Sequence, residues 1–236
     1  MINFVQSLNP NVTVIASLIG DPSRLAMLMS LLGGKALPAG ELAHAARISP
    51  QTASSHLAKM VEGGLLLHEP HGRHKYFRLA SYEVGHVLES LITIAPPKSV
   101  RSLRESDELK TLRHARTCYD HLAGKIGVAL TDRLLDMKLL EESGNDYVLR
   151  LEGKEKLREL GVEVDADPRK RRHYARQCLD WRERRHHLAG SLGAQLTKRL
   201  FELKWIERIP NGRAVRVTNE GIQGLAGEFG LHYPFI

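Results

Sequence analysis

The chain has 236 residues, of which 42% are hydrophobic and 26% charged; it is long enough to bury a sizeable core and predicts two domains or more. A formal net charge of +7 favours a polyanionic partner. No apolar run is long enough to span a bilayer, the N-terminus lacks the basic start of a signal peptide, and Cys118 and Cys178 are too few for a secreted disulfide framework, so the expectation is a cytoplasmic protein with no membrane partner.

Phe4, Val5, Leu8, Val12, Ile15, Leu18 and Ile19 form an apolar run broken at Pro10, and Asn9-Pro10 predicts a helix start there. Asp21-Pro22 repeats the signal for a helix over residues 23–32, closed by Gly33-Gly34. Residues 41–46 read as a short helix with Leu42 and Ala45/Ala46 on one face, after which Arg47-Ile48 turns the chain. Ser49-Pro50 is a strong start for the next helix, because Ser caps free N–H groups and Pro is preorganised at the first position. Along residues 51–62, Ala53, Leu57, Met60 and Val61 recur at core spacing. The opposite face carries Gln51, Thr52, Ser54, Ser55, His56 and Lys59, compact hydrogen-bonding groups without a carboxylate. Gly63-Gly64 ends the helix.

Residues 65–68 and 75–79 predict two strands joined by a polar, basic turn over residues 69–74. Two helices linked by a tight turn and followed by a hairpin make a winged helix-turn-helix. Its second helix is sized for the DNA major groove, and the hairpin tip reaches the adjacent backbone or minor groove. The predicted contacts are Gln51, Thr52, Ser54, Ser55, His56 and Lys59 with Ser49 as cap, and Arg73, His74 and Lys75 on the wing. Residues 82–94 form a further helix with Val84, Val87, Leu88, Leu91 and Ile92 at helical spacing.

The run Leu18-Ile19-Gly20-Asp21-Pro22-Ser23-Arg24-Leu25, then Glu41-Leu42-Ala43, then Ser49-Pro50-Gln51-Thr52-Ala53-Ser54-Ser55-His56-Leu57 closely resembles the ArsR family of bacterial regulators over about residues 10–95. The resemblance implies a homodimeric winged-helix repressor that leaves DNA on ligand binding, metal binding or cysteine oxidation. It implies pairing through the helices from Asn11 to Ile19 and from Tyr82 to Ile94, with two recognition helices roughly 34 Å apart on an imperfect palindrome of double-stranded DNA. Many metal-sensing members carry a Cys-x-Cys-type pattern in the helix before the recognition helix, and residues 41–46 contain no cysteine. Glu83, His86 and Glu89 share a helix face but match the family's interfacial metal pattern poorly, and are expected to be solvated.

Pro96-Pro97-Lys98-Ser99 reads as a linker over residues 96–100. Beyond it lies an internal repeat. HLAGKIGVALTDRLLDMKLLEESGNDYVLRL from His121 aligns without a gap with HLAGSLGAQLTKRLFELKWIERIPNGRAVRV from His187. Each copy is expected to hold a helix through His-Leu-Ala-Gly, a helix starting near Thr131 or Thr197, a short hairpin and a closing helix. The fold class is therefore mainly α with small β-hairpins (α+β): a winged helix-turn-helix over 1–95, then two degenerate winged-helix-like repeats over 101–164 and 165–236. Asp132, Asp136, Glu141, Glu202 and Glu207 would repel phosphates, so these repeats suit sensing or packing rather than DNA reading.

Upstream, Cys118 and Cys178 occupy equivalent positions, each two residues before an Asp (Asp120, Asp180) and ahead of a His (His121; His186 and His187). On a helix Cys118 and His121 would share a face. A thiolate and an imidazole, twice over, could hold a zinc-like transition metal. With Arg116 or Arg176 nearby to lower the thiol pKa, the pair could instead form a disulfide switch. Packing alone, metal binding, thiol oxidation and an organic effector all stay open, the last with Trp181, Trp205, Tyr119 and Tyr174 as candidate lining. Residues 169–172 with Arg176, Arg182, Arg184 and Arg185 are the most basic stretch, either touching phosphates or solvated. Two rival readings are an enzyme with Cys118 as nucleophile and His121 as base, for which no oxyanion or cofactor motif is present, and a sequence-indifferent DNA-packaging protein.

Overall fold

The computed structural model describes residues 11–72, 74–96, 102–165, 172–210 and 212–232, with only the backbone at 74 and 104. The chain separates into two compact units, Met1–Leu88 and Glu89–Ile236.

In the first unit, α1 (Val12–Ile19) leads into α2 (Pro22–Ser30). Asp21 caps α2, its Oδ1 accepting from the Arg24 backbone N–H at 2.9 Å, with Pro22 in the first turn. The helix starts at Val12 with no side-chain cap from Asn11; the expected Asn9-Pro10 start and Phe4, Val5 and Leu8 lie outside the described residues. A strand the sequence did not announce, β1 (Leu37–Pro38), precedes α3 (Ala39–Ala46). Because α3 begins earlier than expected, its inward residues are Leu42 and Ala43, whereas Ala45 is exposed. Arg47 takes a left-handed conformation (φ 55°) to make the turn. Then α4 (Pro50–Glu62) buries Ala53, Leu57 and Met60. Strands β2 (Leu66–His71) and β3 (His74–Leu79) pair antiparallel in register Leu66↔Leu79, and β1 joins the far edge of β3 through Leu37↔Phe77. The hairpin is longer than expected, so Glu69, Pro70 and His71 belong to a strand rather than a turn. The core is Met27, Leu28, Leu31, Leu32, Leu42, Leu57, Met60, Leu66 and Leu79, all but fully buried. Helix α5 (Tyr82–Ile94) follows and runs on into the second unit from Glu89.

In the second unit α5 is followed by α6 (Leu103–His114), capped by Ser102. Next come β4 (Arg116–Cys118) and β5 (His121–Ala123), α7 (Gly124–Asp136), β6 (Leu140–Ser143), β7 (Asp146–Leu149) and α8 (Leu151–Glu159). The same order then recurs as β8 (Arg176–Leu179), β9 (His186–Ala189), α9 (Gly190–Glu202), β10 (Ile206–Arg208), β11 (Val215–Val217) and α10 (Asn219–Phe229). The expected helix through His-Leu-Ala-Gly is instead a strand running into a helix. Gly124 and Gly190 make the change of direction at φ +80° and +82°, where a Cβ would lie under 3 Å from the preceding carbonyls of His114 and Tyr174. Thr131 and Thr197 sit inside α7 and α9 rather than at their starts.

The two runs of elements exchange partners. Hairpin β8–β9 joins the β6–β7 hairpin through Asp146↔Arg176, giving a four-stranded sheet. Hairpin β4–β5 meets the β10–β11 hairpin through the bridge Arg116↔Ala214. Thr131 on α7 accepts from the Leu188 N–H at 2.9 Å, and Thr197 on α9 accepts from the Leu122 N–H at 2.8 Å. Gly127 and Gly193 let α7 and α9 lie against Leu122 and Leu188, whose carbonyl oxygens a Cβ would approach to 2.4 Å. One core runs through both halves, from Ile126 and Leu134 to Leu192, Leu200 and Phe229.

Candidate nucleic-acid interface and a buried thiol–imidazole cluster

Helix α4 is fixed at its start by Ser49, whose Oγ accepts from the Thr52 N–H at 3.2 Å and contacts Thr52 Oγ1 at 2.9 Å. Gln51, Thr52, Ser54, Ser55 and Lys59 are exposed on one side. Ser54 Oγ donates to the Pro50 carbonyl at 2.9 Å. His56 is only half exposed, and its Nδ1 accepts from Arg24 Nη1 at 3.2 Å. The same guanidinium donates to the Leu18 and Ser17 carbonyls, each at 2.8 Å. Arg24 thus ties the end of α1 and the base of α2 to α4, a role that its place in the Asp-Pro-x-Arg run hinted at without specifying. On the wing Lys75 is exposed; Arg73 and the His74 side chain lie outside the described residues. Wing residues Arg78 and Glu69 pair at 2.9 Å.

In the second unit the two cysteines come together. A two-residue turn, Tyr119-Asp120 with Tyr119 at φ 57°, places Cys118 directly opposite His121. The second hairpin has a six-residue connection over 180–185, yet the register still sets Cys178 opposite His187. The extra residues are taken up in the loop, where Asp180 Oδ1 accepts from the N–H groups of Arg182 and Glu183 at 2.9 and 3.0 Å. Cys118 and His121 therefore meet across a hairpin, not along a helix. The Sγ atoms of Cys118 and Cys178 are 3.8 Å apart, both thiols are free, and the His121 and His187 rings stack at 5.1 Å. One donor atom from each of these four buried residues lies within 4.8 Å of the others.

The remaining predicted site residues stand around this cluster or away from it. Asp120 Oδ1 lies 3.4 Å from His121 Nδ1, and its carboxylate accepts two bonds from Arg172, at 2.5 and 2.8 Å. Asp180 does not face the thiols; it accepts from Arg116 Nη2 at 2.8 Å and from the Gly124 N–H at 2.9 Å. His186 is exposed and pairs in register with Leu179, outside the cluster. Arg116 does not activate a thiol, because its charge is spent on Asp180 and its guanidinium stacks over Trp181 at 4.8 Å. The Cys118 thiol is instead pushed well up by its hydrogen bond to Cys178 and by burial. His187 is pushed well down, first by burial and then by the charge of His121 and Arg116. Burial alone would raise Asp180, but Arg116 and the amides of Glu183, Arg182 and Gly124 hold it below the usual carboxylate range.

Other expectations shift for the same reason, that charges find partners within their own unit. Asp132 pairs with Arg185 at 2.7 Å, Glu141 with Arg150 at 2.7 Å, and Asp136 with Arg133 at 3.2 Å. These carboxylates are not the bare repulsive face the sequence suggested. Glu89, expected to be solvated, is buried and ion-paired with Arg213. Of the basic stretch, Arg172 is engaged with Asp120, while residues 169–171 lie outside the described residues. Tyr174 Oη donates to the Val164 carbonyl, and Trp205 packs on the shared core.

The first unit, a helix-turn-helix followed by a β-hairpin, has the architecture of a DNA-binding winged helix. The comparisons agree: a family described as a helix-turn-helix domain matches residues 19–69. A relative from Bacillus subtilis (strain 168), described as "Uncharacterized HTH-type transcriptional regulator YdfF", is 48% identical over 214 residues, covering 91% of this chain and 95% of the relative. The chain belongs to that family of HTH-type transcriptional regulators. Among solved structures, reduced HlyU from Vibrio cholerae N16961 is similar at 27% identity over 36% of this chain and 90% of its own, with a TM-score of 0.34. NolR from Sinorhizobium fredii is similar at 26% identity over 35% and 82%, with a TM-score of 0.33. No single described helix is long and apolar enough to cross a membrane.

Proposed function

We propose that this regulator is a homodimeric, cytoplasmic repressor of the ArsR type that reads an imperfect DNA palindrome. In this reading residues 1–95 bind DNA and dimerise, residues 96–100 link, and two copies of one ancestral unit, 101–164 and 165–236, sense the signal that releases DNA. The observation that carries the DNA-reading half is the face of α4: Gln51, Thr52, Ser54, Ser55 and Lys59 project from a helix start fixed by Ser49. Such groups offer hydrogen bonds to base edges and phosphates, with no carboxylate between Pro50 and Lys59 to oppose them. His56, held by Arg24, positions the helix more than it reads a base. Dimerisation is supported by exposed apolar side chains on the two helices assigned to the interface, Val12 and Val14 on α1 and Val87, Leu91 and Ile94 on α5. Duplication is supported by the gapless alignment and the repeated element order. A signal that favours a DNA-incompetent conformer must, by linkage, bind less tightly to the DNA-bound protein by the same factor.

The test is selection of genomic fragments on the full chain, followed by competition titration with unrelated duplex. The expected preference for the selected palindrome is roughly a thousandfold or more. Gln51→Ala or Ser55→Ala should relax specificity at one position and cost about 1–3 kcal/mol. Lys59→Ala should weaken all sequences alike and lower the salt slope by about one. Equal affinity for any duplex would replace this reading with sequence-indifferent packaging.

A further inference from the structure

We propose that Cys118, His121, Cys178 and His187 form a closed, four-coordinate zinc site at the seam between hairpins β4–β5 and β8–β9. The inference deepens the sensory half of the reading above, and the site itself stands on geometry alone. Each hairpin contributes one sulfur and one imidazole through a directly opposed pair, and the four donor atoms converge within 4.8 Å of one another. Two thiolates bound to one tetrahedral zinc at about 2.3 Å stand about 3.8 Å apart, and the two sulfurs here are 3.8 Å apart. A disulfide requires about 2.05 Å.

An independent observation points to the same occupant. His187 is fully buried, and among the described residues neither of its ring nitrogens has a hydrogen-bond partner. An orphaned buried polar group of this kind is costly, and a metal bond from one ring nitrogen removes much of that cost. Asp120, itself clamped by Arg172, sits at His121 Nδ1 and leaves Nε2 for the metal, the carboxylate–histidine arrangement that orients ligating imidazoles. Two sulfurs and two imidazoles with no oxygen donor select a thiophilic ion over magnesium or calcium. Loss of one proton from each thiol leaves a dicationic zinc balanced by two thiolates and two neutral imidazoles, so a buried site carries no net charge. All four ligands are protein side chains and all are buried, leaving no open position for a substrate; the site clamps the two hairpins rather than catalysing.

The test uses the untagged full chain purified anaerobically. Elemental analysis should find about one zinc per chain, with both thiols protected from alkylation until a chelator is added. Titration of stripped protein with cobalt(II) should give thiolate-to-cobalt charge transfer and intense tetrahedral ligand-field bands that saturate at one equivalent. Asp120→Asn, which keeps all four ligands, should weaken the ion by about 10–100-fold, and Cys118→Ser should abolish the cobalt spectrum. Absence of stoichiometric zinc together with a featureless cobalt titration overturns the site. So does copper(I) bound in place of zinc, or a Cys118–Cys178 disulfide in the anaerobic protein. Operator binding is read separately on the zinc-loaded chain; its failure counts against the regulator reading and leaves the metal result standing.

Discussion

Removing the carboxylate of Asp180 should be among the most damaging single changes in the second unit. Asp180 and Arg116 are 0% and 1% exposed, and the carboxylate accepts four hydrogen bonds: from Arg116, the Gly124 N–H, and the N–H groups of Arg182 and Glu183. Among the described residues, Asp180→Ala leaves a guanidinium in the interior with only the Leu112 carbonyl, at 3.2 Å, and the Trp181 ring beside it. Breaking a buried pair by removing one partner costs about 3–5 kcal/mol, chiefly through the charge left behind. For a domain of this size about 2–4 °C is lost per kcal/mol, so the melting temperature should fall by roughly 10 °C. Urea unfolding followed by circular dichroism measures the loss, and a double-mutant cycle with Arg116→Met apportions it. The double variant should recover much of the damage, because no uncompensated charge remains. A loss below about 1 kcal/mol, or strictly additive costs in the cycle, would refute the claim that this is a desolvated, mutually dependent pair.

Thr131→Val and Thr197→Val should each cost about 1–3 kcal/mol in the same unfolding assay, because each strands a buried N–H of the opposite hairpin, while Thr→Ser at either position should cost much less. Gly193→Ala drives a Cβ to 2.4 Å from the Leu188 carbonyl and should lose about 1–3 kcal/mol as overpacking. Gly227→Ala, in α10 with nothing within 4 Å, should instead gain about 0.5–1 kcal/mol from helix propensity. Ser49→Ala removes the α4 cap and should lower the stability of the first unit by about 1 kcal/mol, with a matching loss of DNA affinity in a gel-shift titration.

The first unit was legible because its signals are local. Asp21-Pro22 and Ser49-Pro50 are start signals whose caps form between residues three apart, and Ala53, Leu57 and Met60 declare their face by spacing alone. What was missed there needed a distant partner: β1 exists only because Leu37 and Pro38 pair with Phe77 and Tyr76, and Arg24 reaches His56 32 residues away. In the second unit the similarity between the two stretches is plain in the sequence, but their local structure is not. The Ala and Gly of His-Leu-Ala-Gly suggested a close-packed helix, but the strand character of His-Leu-Ala comes from pairing with Arg116, Thr117 and Cys118, and its exit requires a positive φ at glycine. Cys118, His121 and Cys178 lie close together across the two hairpins. His187 joins them where His186 and Asp180 do not, because hairpin register, not sequence distance, decides which side chains face the seam.

The exchanged hairpins explain why the cluster has four donors rather than two. One hairpin supplies a single Cys–His pair, too few ligands for a structural ion, which takes four. Thr131 and Thr197 each hold the hairpin of the opposite half, and Gly127 and Gly193 bring each helix within contact of its own strand. That packing sets β5 and β9 side by side and brings the two pairs to a common centre. The six residues that lengthen the second hairpin leave the Cys178–His187 register intact while supplying Asp180 with two loop amides. An ion at this centre would bind across the seam, so its binding energy would count toward holding the hairpins together. Substituting any one of the four donors should therefore loosen both hairpins, not only the one that carries the substitution. Hydrogen exchange at the Leu122 and Leu188 amides, one on each side, would detect this as a paired loss of protection. Loss confined to the substituted hairpin would mean that Thr131, Thr197 and the shared core, not the cluster, hold the two halves together.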